Sequence, residues 1–472
     1  MTETTHEDQQ SSPHLPIKNN LKIALFHLGS GMADVITAGV WNRIMITDLG
    51  FAATPISLLV GLRYFLAPLG VWAGRISDER AVGGYRRLFW IWLGRLMMVT
   101  SILGTGLLTA DLARGREATP MVWLLLTGSL LLFSLGSALS GSTFLALIYD
   151  RAHPRQRGRA VGIVWTFLLL GFTIAGILFG VLLPSNREEG SAAAGGLSFS
   201  PETLQTLFVV GALVMGALWF FSLLGEERRS TGTAAVQAEP KSQTTLRQDI
   251  QQAWSNRQTR FFFWYLALSM IFAFAQDLVL EPFAGDVFNM DAAHTTRFAA
   301  YWGSMSIIGT VLFLWLSRRY TRLTNTVMSH VGVWVLVATF AVFALSSVAE
   351  IRGLVTPGLI LLGIGLGVWN VGTLGMMMEM SPFGRAGTFL GFWTLVVTLA
   401  RGFGVTLGGF VRDIAVQLTG NVTLSYGVVF GLEAIGLIVA LWALSQVNVQ
   451  YFQAEQGEAQ SDATSVLAAA LD

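Results

Sequence analysis

Residues Gly74 to Arg95 read GRISDERAVGGYRRLFWIWLGR. A long apolar segment precedes this stretch and another follows it, with only a short polar run between them. That run carries Asp78, Glu79 and the arginines Arg75, Arg80, Arg86 and Arg87. Two hydrophobic helices joined so closely form a hairpin in a membrane. The arginines mark its side, because cytoplasmic loops are the ones enriched in Lys and Arg.

Composition agrees. Hydrophobic residues make up 53% of the 472 and charged residues only 12%, against a charged share of about 25% in soluble domains. Mean hydropathy is +0.57. The length accommodates a dozen spans of roughly 20 residues each with their loops. A net charge of +1 excludes a nucleic-acid role, which needs a clustered basic surface. The absence of cysteine excludes disulfides, thiol catalysis and cysteine-held metals. The first 20 residues are polar, lack the apolar core of a cleaved signal peptide, and are expected to form a disordered cytoplasmic tail.

Apolar segments lie at about 23–47, 56–74, 88–110, 121–149, 159–183, 203–224, 261–281, 298–316, 326–349, 355–379, 386–411 and 425–447. The expected fold is therefore all-α and integral to the membrane, with 12 transmembrane helices in two six-helix, pseudo-symmetric bundles. The boundaries are a tail at 1–22, bundles at 23–224 and 261–447, a polar cytoplasmic linker at 225–260, and a tail at 448–472. With the N-terminus inside, 20 Lys and Arg residues fall on the cytoplasmic side and six opposite. Both termini are thus expected to be cytoplasmic. The halves also echo one another. DRAHPRQRGRAVG at 150–162 and EMSPFGRAGTFLG at 379–391 each place an acid, a proline and Gly-Arg-Ala in the same order, as parallel repeats would.

Ionisable side chains inside hydrocarbon are costly and face the protein interior. The first span offers Asp34, Asn42 and Arg43, the second Arg63, and the seventh Asp277 and Glu281 on one face. Asp34 and Asp277 are expected to face each other across a central cavity, with Arg43 and Arg63 as counter-charges for Asp277 and Glu281. These groups would act as interdomain salt bridges or as a substrate or proton site. Arg95, Arg401 and Glu433 are secondary candidates. Pro282 is expected to bend or end the seventh helix. Gly176/Gly180, Gly363/Gly367 and Gly404/Gly408 are each spaced four apart, which permits close helix contact or clears a flat surface for a flat ligand. His27 and His330 are candidate ligands for a magnesium or other metal centre. The 15 tryptophans read mainly as an interfacial belt. No nucleotide-binding loop, zinc signature or nucleophile elbow occurs, so no catalytic residue is assigned and no enzyme is expected.

Gly74-x-x-x-Asp78 followed by Gly84-x-Arg86-Arg87 resembles the loop between helices 2 and 3 of major facilitator transporters. The resemblance implies a cytoplasmic gate in which Asp78, with Arg80, Arg86 and Arg87, latches onto the start of the eleventh span near Arg385 to Gly387. Three further stretches are more particular: GVWNRIMITDLG at 39–50, GLRYFLAPL at 61–69 and QDLVLEPFAGDVFNM at 276–290. Together they resemble the PucC/LhaA family, the bacteriochlorophyll-delivery branch of that superfamily. Trp41 and Phe283 are small departures from its pattern.

The resemblance implies a factor that assists assembly of light-harvesting antenna complexes by handling (bacterio)chlorophyll as cargo, with no tightly bound cofactor. Its implied partners are membrane lipid and antenna polypeptides or pigment-synthesis proteins, in the inner or photosynthetic membrane of a phototrophic bacterium. A proton-coupled transporter of a small amphipathic solute, with Asp34 or Asp277 as the proton site, is the alternative. A scaffold that only holds antenna polypeptides is a third reading.

Overall fold

The computed structural model describes residues 15–153, 156–183, 200–227, 254, 256–381 and 386–455. Twelve helices among them are long and apolar enough to cross a membrane. They are α1 (Ile17–Asp48), α2 (Ala53–Asp78), α3 (Leu88–Ala113), α4 (Pro120–Arg151), α5 (Arg159–Leu182) and α6 (Pro201–Phe221). The second half adds α7 (Arg257–Phe288), α8 (Ala292–Arg319), α9 (Asn325–Val348), α10 (Arg352–Glu379), α11 (Gly391–Thr419) and α12 (Val422–Ser445). The protein is a multi-pass membrane protein. Successive helices alternate in direction, so one end of the bundle carries the Asp78 loop (the loop end) and the other carries the α1–α2 turn (the far end).

Local chemistry sets the boundaries. Thr119, Ser200, Asn256, Thr324 and Asn421 each accept a hydrogen bond from a backbone N–H in the first turn that follows. Such capping answers donors that hydrocarbon would leave unsatisfied. α1 begins at Ile17 rather than near 23. Hydropathy misses its first turns because they carry Lys18, Asn19, Asn20 and Lys22. Lys22 reaches out to the Leu224 carbonyl (2.5 Å) and to Glu226 (3.0 Å). α7 likewise continues past Pro282 to Phe288, and Asn289, in the left-handed region at φ 53°, stops it.

Across the molecule α2 packs on α11 and α5 on α8. The paired glycines sit in helix contacts. Gly176 and Gly180 meet α8 at Ala300 and Arg297, Gly363 and Gly367 meet it at Trp302 and Ser306, and Gly404 and Gly408 meet the α7 carbonyls of Ile271 and Ala275. In this conformation they bring backbones together and leave no flat open surface. The repeat survives in chemistry as well. Arg87, just before α3, pairs with Asp150 at the end of α4 (3.0 Å). Asn325, at the start of α9, donates to Glu379 at the end of α10 (2.7 Å). The second half keeps the tie and drops the charge on its donor.

Candidate functional site

The halves interlock where α1 meets α7. α1 widens into π-helical turns at Val35–Val40 and Ile44–Asp48, on either side of Trp41–Arg43; such turns concentrate at functional positions. Asn42 is fully buried there. Its side-chain amide donates to the Leu278 carbonyl at 2.8 Å. Pro282 has no N–H, so the carbonyl four residues earlier, that of Leu278, lacks its helical donor. Asn42 supplies one from the other half. This explains why the proline neither ends α7 nor leaves a buried acceptor bare. Thr47 donates to the Pro282 carbonyl at 3.5 Å.

Arg43 pairs with Asp48 on its own helix (3.1 Å) and donates to the Met290 carbonyl (2.9 Å). Gly285 makes room for it, since a Cβ there would come within 2.5 Å of the guanidinium. Glu281 faces α1 at Gly39. It is buried, and its Oε2 has no hydrogen-bond partner among the described residues.

The interior charges pair differently from the sequence expectation. Arg63 binds Asp34 at 2.6 Å, not Asp277 or Glu281. Asp277 takes Arg401 of α11, with Oδ2 2.6 Å from Nη2 and 3.2 Å from Nε. Gln276 donates to its other oxygen at 2.7 Å. Arg43 serves Asp48, so Glu281 has neither expected counter-charge within ion-pair distance. The reason is reach: α11 packs closely against α7 and sets Arg401 beside Asp277, whereas α2 only brushes α7. Tyr64 stands between the pairs. Its hydroxyl accepts from Arg63 at 2.6 Å, and its ring lies 5.2 Å from the Arg401 guanidinium carbon. Arg401 also sits over Phe274 at 4.0 Å. The side chains of Asp34 and Arg401 keep 32% and 29% exposure. Partial solvent contact of this kind lets an ion pair exchange partners at modest cost, unlike a fully buried one.

A second group at the far end escaped the sequence reading. Asp413 of α11 accepts from the backbone N–H groups of Ala53 (3.0 Å) and Thr54 (2.7 Å) and from the Thr54 hydroxyl (2.7 Å). A carboxylate of one half thereby caps a helix of the other. Arg412 bridges Asp413 (3.0 Å) and Asp286 (3.1 Å), and Tyr426 donates to Asp286 at 2.5 Å. One signal was available: α2 begins Ala53-Thr54-Pro55 with no capping side chain before it, so its donors needed an acceptor from elsewhere.

The loop end is tied within the first half. Asp78 meets Arg86 (3.0 Å) and Arg87 (2.5 Å), and Arg87 also reaches Asp150 and Ser77. Arg80 is exposed, and its carbonyl accepts from Trp90. Gly74 lies near Ser142. Glu227, read from the sequence as linker, accepts from the backbone N–H groups of Arg86, Arg87 and Leu88 at 2.7 to 3.1 Å. It places an anion at the N-terminus of α3. Residues 382–385 and the side chains of 386–390 lie outside the described residues, and with them the proposed landing point of Asp78 near Arg385 to Gly387.

The two histidines are far apart in role. His27 sits against Phe144 (5.0 Å) and Trp165 (5.8 Å), with a buried Nδ1 that has no partner among the described residues. His330 Nδ1 lies 2.9 Å from the Thr326 carbonyl. A carbonyl only accepts, so Nδ1 carries a proton, and the tautomer this selects has its lone pair on Nε2.

Two six-helix bundles meeting along α2–α11 and α5–α8, with ion pairs where they join, define a major-facilitator-type membrane protein. Solved structures agree over nearly the whole chain. A bacterial homologue of the human lysosomal transporter Spinster, inward-facing and unoccupied, superposes with TM-score 0.62 at 16% identity, covering 93% of this chain and 96% of that one. The nucleoside transporter NupG gives TM-score 0.60 at 17% identity, over 91% and 99%. The family profile described as PUCC protein matches residues 40–452, and the chain belongs to that family. Among curated relatives, the "Bacteriochlorophyll synthase 44.5 kDa chain" of Rhodobacter capsulatus is 28% identical over 89% of this chain and 92% of its own length. "Protein PucC" of Rhodovulum sulfidophilum is 25% identical over 86% and 87%.

Proposed function

We propose that this chain assists assembly of light-harvesting antenna complexes by handling (bacterio)chlorophyll within the membrane, and that it is not itself an enzyme. The observation that carries this reading is the family match over 40–452, together with relatives from phototrophic bacteria. The distribution of charge supports it. The acid–arginine pairs gather on α1, α2, α7 and α11. Along the α5–α8 seam, Gly176, Gly180 and Gly303 meet α8 or α5, and Phe172 packs on Trp302 at 4.9 Å. Arg297 lies against Gly180 near the far end of this seam. A chlorin is a wide flat ring with a long apolar tail, suited to a lateral path between helices. His330, with a free Nε2 lone pair, is the better-prepared of the two histidines for an axial bond to magnesium.

The count of 20 against six Lys and Arg residues supports cytoplasmic termini and a cytoplasmic Asp78 loop in the inner or photosynthetic membrane. The cross-half hydrogen bonds of Asn42, Arg43, Thr47, Ser57 and Asp413 all lie in the far half. On that orientation the conformation faces inward. The test is purification followed by an absorption spectrum, paired with gene deletion and measurement of antenna absorption. A bound chlorin, or antenna loss on deletion, is the expected result. A colourless protein with normal antenna levels overturns the reading.

The two ion pairs at the interior favour a second reading, a proton-coupled transporter of a small amphipathic solute. Uptake into vesicles that follows a pH gradient and vanishes in Asp277→Asn would select it.

A further inference from the structure

Glu433 of α12 is 1% exposed, and neither carboxylate oxygen has a hydrogen-bond partner among the described residues. It lines an apolar niche between α7, α11 and α12, formed with Phe272, Ala275, Leu407, Gly408 and Val411, that is too narrow to admit a water molecule. Helix packing seals it. The Ala275 carbonyl occupies the space a Cβ on Gly408 would take, and the Phe272 ring does the same at Gly436. An ionised carboxylate without donors in such surroundings costs several kcal/mol or more, so the group is retained there only in its neutral form.

We propose that Glu433 is a proton-binding site, distinct from Asp34 and Asp277, that stores one proton in this conformation. Its neighbours give that proton a purpose. Asp277 lies within electrostatic reach and is held by Arg401. An anionic Glu433 would repel the Asp277 carboxylate; the acid form does not. α9 also packs on α12 and carries no Asp, Glu, Lys or Arg. Its one histidine, His330, is committed to the Thr326 carbonyl. The niche borders the point where α7 loses its regular winding, at Ala275. Bending there would lift Phe272 from α12 and Ala275 from α11, admit water and release the proton.

The test uses infrared spectra of the purified full chain at neutral pH. The carbonyl stretch of a protonated carboxylic acid should be present, lose intensity in Glu433→Gln and shift in deuterium oxide only after long exchange. Glu281→Gln is the control, because Glu281 is a second interior acid with an unpartnered oxygen among the described residues and must account for a separate component. A second readout needs no spectrum. A proton held by the folded state and lost on unfolding makes the folding equilibrium fall about tenfold per pH unit above the ordinary carboxylate range. Glu433→Gln should remove that slope, matching wild type near pH 4 and exceeding it at pH 8. A protonated-acid band unchanged by Glu433→Gln, or parallel pH slopes in the two proteins, overturns the proposal.

Discussion

The two ends of this molecule use the same residue types for opposite purposes. At the far end, Asn42, Arg43, Thr47 and Asp413 bond across the divide between the halves. At the loop end, among the described residues, Asp78, Arg87, Asp150, Glu226 and Glu227 bond within the first half. The loop carries the most recognisable motif, yet in this conformation it braces one bundle. The lock between bundles is built from an amide and a carboxylate that serve unsatisfied backbone groups. Cross-half strength here comes from satisfying backbone in a medium that offers no water.

Substitutions can break that contrast in graded steps. Asp413→Ala should have the largest effect, about 3 kcal/mol of lost stability, because it uncaps α2 and leaves Arg412 only Asp286. Thermal unfolding in detergent would read it. Asn42→Ala should cost about 2 kcal/mol by stranding the Leu278 carbonyl. Pairing it with Pro282→Ala, which restores the missing N–H, should recover most of that loss. Failure of the double variant to recover would remove the proline account. Arg87→Ala should cost about 1 kcal/mol, since its acids are half-exposed and can be hydrated. It should also leave cross-half distances unchanged, whereas the far-end variants lengthen them. Arg114→Ala, in an exposed cluster with Asp111 and Glu202, should stay within about 0.5 kcal/mol of wild type.

Much of the fold was legible because hydrocarbon imposes a coarse rule. Long apolar runs become helices, and the span positions hold to within several residues. The misses occur where one residue's need is met from far away in sequence. Pro282 argued for a bent or ended helix; the helix runs on, and the residue that answers the stranded carbonyl, Asn42, lies 240 positions earlier. Of the six expected interior residues, the structure buries Asn42, Arg43 and Glu281 and partly buries Asp34, Arg63 and Asp277. Their partners were not legible, because a choice between Arg63 and Arg401 for Asp277 depends on which helix stands beside α7. Glu226 and Glu227 were overlooked for another reason. They open a polar connection, and nothing local marks two acids there as partners for α1, α3 and α4.

The absence of native cysteine makes a far-end lock with the loop end parted directly measurable by electron paramagnetic resonance between introduced spin labels. One pair would be Ala52→Cys with Leu418→Cys at the far end, and another Trp165→Cys with Trp315→Cys toward the loop end. A single narrow distance is expected for the first pair and a longer, broader one for the second. Asn42→Ala should broaden the first. A narrow, short loop-end distance beside a broad far-end one in the otherwise unaltered chain would contradict the far-end lock.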